Sequence, residues 1–263
     1  MEETKGHIHP LTRTLDEIVH IFTELGFEIA LGPEIETEHY NFDALNVPKD
    51  HPARDMQDTF WINADKRGSG MKEHEILRRS ASSPHSSAFL LRTHTSPVQV
   101  RYMETHKHPF RIVVPGKVYR YEATDATHET QFHQVEGLVV GDDVTFAGLK
   151  WTLEKFFKKL FGEEVKMRMR PSFFPFVEPG VEIDISCFMC KGAGCGVCKR
   201  SGWIEVMGGG MVHPNVLVAG GMDPRKYRGF AFGMGVDRLV MTKYGIEDVR
   251  LLYAGDLRLV NQF

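Results

Sequence analysis

An apolar stretch interrupted by glycines, near the end of the sequence, most constrains what this chain can fold into. Gly229, Gly233 and Gly235 interrupt a run that otherwise predicts a buried β-strand. Glycine destabilises a strand, but it lets a flat ligand lie against the backbone. The next residues predict a helix from Val236 to Tyr244, with Arg238 in its first turn. A helix N-terminus favours negative charge, so this arginine indicates a phosphate ligand, with a simple exposed arginine as the alternative.

The remaining pattern predicts short strands interrupted by a few helices. Helices are predicted at Leu11 to Leu25, Pro97 to His106 and Trp151 to Phe161, and strands at Phe27 to Leu31, Phe89 to Thr93, Phe110 to Glu122 and Phe132 to Glu136. Lys66 to Ser87 is rich in polar residues and predicts a flexible hairpin tip. Strands and helices do not alternate regularly, which favours an α+β fold with a mainly antiparallel sheet. Because the phosphate-binding loop GxxxxGK[ST] and a complete GxGxxG are both absent from the sequence, a doubly wound nucleotide site is not expected.

Charge and cysteine usage narrow the class of protein. The formal net charge is -3, which argues against a surface built throughout to bind phosphate backbones, so nucleic acid would be contacted locally or through a partner. No apolar run approaches the length of a membrane span, so no membrane partner is expected. All 4 cysteines fall between Cys187 and Cys198, too close together for a disulfide framework. We therefore expect a cytoplasmic protein.

Arginine and acidic residues cluster around a predicted strand end. Arg120 and Glu122 are two residues apart and are expected to share one strand face, and the loop that follows carries His128. A guanidinium can donate two parallel hydrogen bonds to a phosphate. The alternative is an ordinary ion pair on a wet sheet face.

The four cysteines form two CxxC pairs. Cys187, Cys190, Cys195 and Cys198 can supply four thiolates to a tetrahedral zinc ion, and the glycines between them permit tight turns. The linker of four residues between the pairs is shorter than in most zinc ribbons. We predict a structural Zn²⁺ here and no catalytic one, because four thiolates leave no open position.

Three segments in order resemble the motifs of class II aminoacyl-tRNA synthetases: residues about 10–38 resemble motif 1, about 110–140 motif 2 and about 229–244 motif 3. Further strings are similar to those of the α subunit of bacterial phenylalanyl-tRNA synthetases: His51-Pro52-Ala53-Arg54, Arg92-Thr93-His94-Thr95-Ser96-Pro97, Phe132-His133-Gln134-Val135-Glu136-Gly137, Phe173-Phe174-Pro175-Phe176-Val177-Glu178-Pro179 and Gly210-Met211-Val212-His213-Pro214-Asn215-Val216-Leu217. The resemblance covers nearly the whole chain.

The resemblance implies the class II synthetase fold, a mainly antiparallel sheet flanked by helices, in a single catalytic domain over residues 1–263 with a Cys-rich insertion at about 186–202. It also implies that the chain uses ATP and Mg²⁺ to activate L-phenylalanine and then transfers it to tRNA(Phe). Magnesium takes most of its ligands from water and phosphate, so no protein ligand is named for it.

The resemblance assigns residues to each substrate. For ATP, it implies that Arg120 holds the α-phosphate, Arg238 the γ-phosphate, Glu122 and His128 frame the adenine and phosphate ends, and Phe132 stacks on adenine. For the amino acid, it places His94, Ser96, Gln134 and Glu136 around the amino and carboxylate groups. It places Phe174 and Phe176 against the ring of the substrate, and Ala231 at the para position of that ring. Ordinary core packing is the alternative for the two phenylalanines.

The resemblance implies partners as well. Family members work as α2β2 assemblies, so we expect self-association through the motif 1 region near Pro33 and a possible β subunit. Family α subunits usually begin with a long helical hairpin that reaches the tRNA, whereas this sequence starts just before motif 1, which implies a trimmed or minimal form.

Three other functions remain open on sequence grounds. The chain could be a non-catalytic synthetase paralog that senses an amino acid, but Arg120 and Arg238 are both present. It could be another adenylating enzyme of the same fold, such as a biotin or lipoate ligase, although the strings around His94 and Phe174 do not belong to those enzymes. A zinc-dependent RNA-binding module would leave most of the chain unexplained.

Overall fold

A seven-stranded β-sheet lies at the centre of the computed structural model, which describes residues 6–49, 59–62 and 89–263. The strands of the described chain are β1 (Glu28–Ile29), β2 (Ile35–Thr37), β3 (Trp61–Ile62), β4 (Phe89–Leu91), β5 (Phe110–Tyr119), β6 (Gln131–Gly141), β7 (Met167–Pro171), β8 (Val177–Ser186), β9 (Trp203–Val212) and β10 (Arg228–Gly235). The helices are α1 (Pro10–Glu24), α2 (Glu38–Asn41), α3 (Pro97–Thr105), α4 (Phe146–Phe161), α5 (Pro214–Ala219), α6 (Val236–Tyr244) and α7 (Leu257–Val260), with 3₁₀ turns at Asp43–Leu45 and Val249–Leu252.

The sheet confirms the prediction of an α+β fold with mainly antiparallel strands. Its order is β1-β5-β6-β10-β9-β8-β7, and a smaller sheet has the order β2-β4-β3. Within the large sheet the described pairs are antiparallel except for β1 with β5. The predicted hairpin of β5 and β6 is present, with Phe110 opposite Val140 at one end and Tyr119 opposite Gln131 at the other.

Alternation along β10 separates the two faces of the sheet. Phe230, Phe232 and Met234 pack into one core, with helices α1 and α4 above them. In that core the Phe22 ring of α1 stacks on Phe156 at a centroid distance of 4.5 Å and on Phe232 at 5.1 Å. Ala231 belongs to the second core, on the opposite face, together with apolar residues of α3 and α5. The three glycines of this strand share the face of Ala231.

Some predicted boundaries differ from the structure. The strand predicted to reach Glu122 ends at Tyr119, so the prediction that Arg120 and Glu122 share a strand face is wrong. One more backbone bond, from Arg120 N–H to Thr130 O at 2.9 Å, precedes the turn of the loop. The short strand near Pro33 is only Glu28–Ile29 and lies at the sheet edge, as the proline indicated.

Two features named from the sequence, the polar excursion at 66–87 and the string His51 to Arg54, fall outside the described residues. Among the described helices, none combines the length and the apolar character needed to cross a bilayer.

Candidate active site

A cavity of about 620 Å³ opens on the sheet face that carries Ala231 and the glycines of β10. It lies between the middle of β6 and β10, the start of α3 and the loop that joins β7 to β8. The structure brings together here all the residues that the sequence assigned to the amino acid, together with one arginine assigned to ATP: His94, Ser96, Gln134, Glu136, Phe174, Phe176, Ala231 and Arg120.

One end of the cavity is apolar. The Phe174 and Phe176 rings lie 5.9 Å apart between centroids, at an interplanar angle of 23°. Both rings are only partly buried, which is unlike ordinary core packing. Gly208 of β9 makes room for the first ring, because a Cβ on Gly208 would lie 2.8 Å from Phe174 Cζ. Ala231 is 7% exposed and completes this end of the cavity.

The other end is polar and centres on Glu136, which is 4% exposed. Its carboxylate accepts hydrogen bonds from Thr95 N–H at 3.2 Å, Ser96 Oγ at 2.6 Å and Gln99 Nε2 at 2.7 Å. Burial raises the pKa of Glu136, and the hydrogen bonds oppose this shift. A buried carboxylate held by uncharged donors can bind an ammonium group that enters the cavity.

His94 lines the same cavity as Glu136 and is 6% exposed. Burial first, and then the charge of Arg120, lower the pKa of His94 to about 3, so the ring is neutral at neutral pH. Its Nδ1 atom is buried and has no hydrogen-bond partner in the described part of the chain. A buried unpartnered nitrogen is costly unless a ligand satisfies it.

Arg120 connects the polar end of the cavity to the loop after β5. Its Nε donates to Thr93 O at 3.3 Å, and its guanidinium carbon lies 4.9 Å from the centroid of the Phe132 ring. Nη1 also lies 3.8 Å from a carboxylate oxygen of Glu122. Burial lowers the pKa of Arg120, but an arginine remains charged in proteins. A fixed cation therefore faces the cavity and covers one face of Phe132.

The other residues assigned to ATP lie outside the cavity lining. Glu122 and Phe132 contact Arg120 from the side of the loop. His128 is exposed and pairs with Asp125 at 3.0 Å, within the loop itself. Arg238 is exposed on the first turn of α6. The cavity thus unites the predicted amino-acid residues and Arg120, while the other predicted ATP residues lie outside its lining, in the β5–β6 hairpin and on α6.

Sequence reasoning missed several lining residues. Gln99 binds Glu136 directly, and Leu45, Val47 and Val177 add apolar surface. The sequence did contain a signal that marks Gln99 as a polar residue at the start of a helix, because Ser96 and Gln99 have the spacing of a helix capping box. In the structure the Ser96 side chain makes no cap hydrogen bond, and both side chains turn to Glu136 instead. The apolar residues carried no comparable signal, because they approach the cavity only through the tertiary fold.

The four cysteines gather at the tip of the β8–β9 hairpin, called here the Cys tip (residues 187–202). Their Sγ atoms all lie within 4.8 Å of one another, and three of the distances are 3.7, 3.8 and 3.8 Å. A tetrahedron with zinc–sulfur bonds of about 2.3 Å has edges of about 3.8 Å. Backbone N–H groups of Gly194 and Cys195 donate to Cys190 and Cys198 Sγ at 3.1 Å. The four sulfurs therefore fit one tetrahedral metal ion.

Comparisons with known proteins agree with this geometry. The family model for the class II core domain of tRNA synthetases matches residues 1–263. The phenylalanine–tRNA ligase α subunit of Caldanaerobacter subterraneus subsp. tengcongensis is 55% identical over 258 residues, which is 98% of this chain and 69% of that protein. The α subunit of Clostridium perfringens is 53% identical over 262 residues, 100% of this chain and 70% of that protein.

Solved structures support the fold. A pyrrolysyl tRNA synthetase of Desulfitobacterium hafniense superposes with a TM-score of 0.60 at 18% identity, covering 91% of this chain and 71% of that one. At this identity the likeness concerns the fold alone.

Proposed function

The chain belongs to the class II tRNA synthetase core family and, within it, to the phenylalanine–tRNA ligase α subunits, and we propose that it activates L-phenylalanine with ATP for transfer to tRNA(Phe). The observation that carries this proposal is the cavity itself, apolar at Phe174 and Phe176 and polar at Glu136 and His94. Family membership does not support the alternative of a biotin or lipoate ligase. Residues 1–263 form one catalytic domain in this proposal.

In this proposal phenylalanine lies with its polar groups at the Glu136 end of the cavity and its ring at the Phe174 end. Its α-ammonium group donates to the Glu136 carboxylate and to neutral His94 Nδ1, which has no hydrogen-bond partner among the described residues. Ser96 and Gln134 contact the remaining polar atoms of the substrate. The side-chain ring lies against Phe174 and Phe176, with its para carbon toward Ala231. Aromatic pairs of this kind contribute about 0.5–1.5 kcal/mol beyond the area they bury.

ATP binds along the rim of the cavity. Arg120 holds the α-phosphate, Arg238 holds the γ-phosphate, and Phe132 stacks on adenine with the face that Arg120 leaves open. Glu122 and His128 border the adenine and phosphate ends. Magnesium neutralises charge on the phosphates when bound. These are positioning and electrostatic roles, which are sufficient for phosphoryl chemistry without a covalent enzyme intermediate.

The reaction has two steps. The substrate carboxylate attacks the α-phosphorus in line, an oxygen–phosphorus bond forms, and pyrophosphate leaves. Arg120 stabilises the negative charge that develops on the α-phosphate oxygens. The terminal ribose hydroxyl of tRNA then attacks the carbonyl carbon of the adenylate, and AMP leaves.

The Cys tip holds one structural Zn²⁺ in this proposal, because its donor set and its sulfur spacing suit that ion. Two chains associate through the motif 1 region, where Ile29, Leu31 and Ile35 are exposed around Pro33. A β subunit completes the assembly. Free, clustered cysteines favour the reducing environment of the cytoplasm.

ATP–pyrophosphate exchange with each of the twenty amino acids tests this function. We expect exchange with phenylalanine, weak exchange with tyrosine and none with the others. Binding of phenylalanine without exchange, in the presence and absence of a β subunit, would support a non-catalytic sensor instead.

A further inference from the structure

Asp237 stands next to one proposed ATP contact in sequence and next to the other in space. It precedes Arg238 on the first turn of α6. Its Oδ2 accepts a hydrogen bond of 2.7 Å from the backbone N–H of His133, the residue that follows Phe132 on β6. A single carboxylate therefore joins the backbone that presents Arg238 to the backbone that presents Phe132.

The end of a strand explains this contact. The pairing of β10 with β6 ends at Gly235 opposite Gln134, where the chain turns into α6. His133 precedes Gln134 on β6, beyond the last residue of β10 that pairs with this strand. Its N–H donates to the Asp237 side chain instead of to a strand residue. A carboxylate in the first turn also benefits from the helix dipole.

The second carboxylate oxygen of Asp237 binds the segment that follows α6. The Tyr253 hydroxyl donates to Asp237 Oδ1 and lies 3.2 Å from His133 Nδ1. Four residues earlier, Val249 N–H donates to Ala126 O at 2.9 Å, in the loop between β5 and β6. Residues 249–253 thus contact the β5–β6 loop, and through Asp237 they also reach β6 and α6.

Burial of the Asp237 carboxylate is costly. Asp237 is 4% exposed, and burial raises its pKa to about 6, so the carboxyl is mostly ionised at neutral pH against the preference of its surroundings. Among the described groups that act on Asp237, none is a cation that compensates its charge. His133 Nδ1 lies 4.0 Å away, but burial and then Lys117 lower the pKa of that ring to about 4, and Glu129 adds negative charge. A buried carboxylate without a neighbouring cation is costly, but only a carboxylate offers a separate acceptor oxygen to each of the two donors, His133 N–H and Tyr253 OH.

We propose that Asp237 and Tyr253 are positioning residues that hold Arg238 and Phe132 at the separation required to bind both ends of one ATP molecule. The proposal rests on the proposed function, because it assumes that ATP lies between these two residues. It assigns a role in the reaction to the segment after α6, which the sequence motifs did not include.

Two substitutions test the proposal. Asp237→Asn keeps the size of the side chain but offers only one acceptor oxygen to two donors, and Tyr253→Phe removes one of those donors. The affinity of each variant for ATP with Mg²⁺ is measured by calorimetry, and the KM values for ATP and for phenylalanine by pyrophosphate exchange. We expect the Kd and KM for ATP to rise about tenfold in Asp237→Asn and about threefold in Tyr253→Phe, with the KM for phenylalanine unchanged.

Tyr244→Phe is the matched control. It removes a hydroxyl from the same part of the chain, on a ring that packs on Phe263 at a centroid distance of 4.8 Å, and we expect it to leave both KM values unchanged. Variants that bind ATP like the wild type, with or without a lower melting temperature, would show that Asp237 and Tyr253 serve the fold alone. A wild-type chain that binds no ATP would instead overturn the proposed function, and this inference with it.

Discussion

The cavity and the Cys tip are built in opposite ways, although both depend on the β8–β9 hairpin. The cysteines of the tip are only three to eight residues apart in sequence along their sulfur contacts. The cavity joins His94 before α3, Glu136 on β6 and Ala231 on β10, which are brought together by sheet register. The tip is thus a product of local spacing, and the cavity is a product of long-range pairing.

The ionisable groups of the two regions also differ in their surroundings. In the cavity, uncharged donors surround Glu136, and His94 is kept neutral. In the tip, burial raises the pKa of Cys187 to about 12, whereas the N–H of Cys195 and other donors lower that of Cys198 to about 6. The comparison predicts that changes in the cavity alter activation with little effect on the fold, and that changes in the tip do the reverse.

Arg120→Ala should have the largest effect on activation. The guanidinium faces the cavity and serves the charge of the transition state, so its loss should lower kcat/KM in pyrophosphate exchange by about a hundredfold or more. Thermal unfolding should change little, since within the described chain the side chain makes one hydrogen bond to Thr93 O, a ring contact with Phe132 and a 3.8 Å ion pair with Glu122. Arg238→Ala, on the exposed first turn of α6, should act more through the KM for ATP. Unchanged exchange in a folded Arg120→Ala variant would disprove the site.

His94 allows a pH test of the cavity. The unfolded chain protonates this ring near pH 6.5, whereas the folded chain keeps it neutral down to about pH 3. Stability is therefore lost as the pH falls through this interval, by about 1.4 kcal/mol per pH unit for one proton. His94→Asn should make the slope of unfolding free energy between pH 6 and 4 shallower by about that amount.

Denaturant titrations at several pH values measure this slope. Equal slopes for His94→Asn and the wild type would mean that His94 is not held neutral in the folded chain.

Local and long-range features were not equally predictable from the sequence. The CxxC pairs, the helix patterns and the glycines of β10 predicted the cluster of sulfurs, the helices and the sheet face on which the cavity opens, because each depends on neighbouring residues. The strand end at Tyr119 was missed, because propensity does not record where the β5–β6 ladder stops. Leu45 and Val47 were missed because only the folded chain brings them to the cavity. The amino-acid residues were found through resemblance, and not through spacing.

Ala231→Gly tests the apolar end of the cavity. Removing one methyl group at the para position should admit para-chlorophenylalanine and raise its kcat/KM relative to phenylalanine by about tenfold, since one methylene in a pocket has an effect of this size. Phenylalanine activation itself should remain close to that of the wild type. Tyrosine should be a poor but detectable substrate of the wild type, because an apolar pocket rejects a hydroxyl only by about a hundredfold. If the kcat/KM for para-chlorophenylalanine relative to phenylalanine does not rise in the variant, Ala231 does not line the pocket for the ring.

The smallest effect on activation is expected from the tip. A double substitution of Cys190→Ser and Cys195→Ser leaves two thiols, too few for a tetrahedral structural site. The purified wild type should contain about one zinc per chain by elemental analysis, and the variant none. Loss of the ion should lower the melting temperature by about 10 °C, the size expected for a tightly bound metal in a chain of this length. The kcat/KM for phenylalanine should stay within about twofold, because the tip and the cavity share no side chains.

Val197→Ala is the matched control for the tip. This side chain is 55% exposed between Cys195 and Cys198 and leaves all four sulfurs in place, so zinc content and melting temperature should both be retained. Chelator treatment of the wild type should reproduce the double variant, and added zinc should rescue the treated wild type but not the variant. If activation and zinc were lost together at temperatures where the chain remains folded, the tip would belong to the active site, and the separation of the two regions would fail. If neither protein contained zinc, the zinc site predicted from the cysteine spacing would be wrong, and the Cys tip would be a glycine-rich turn.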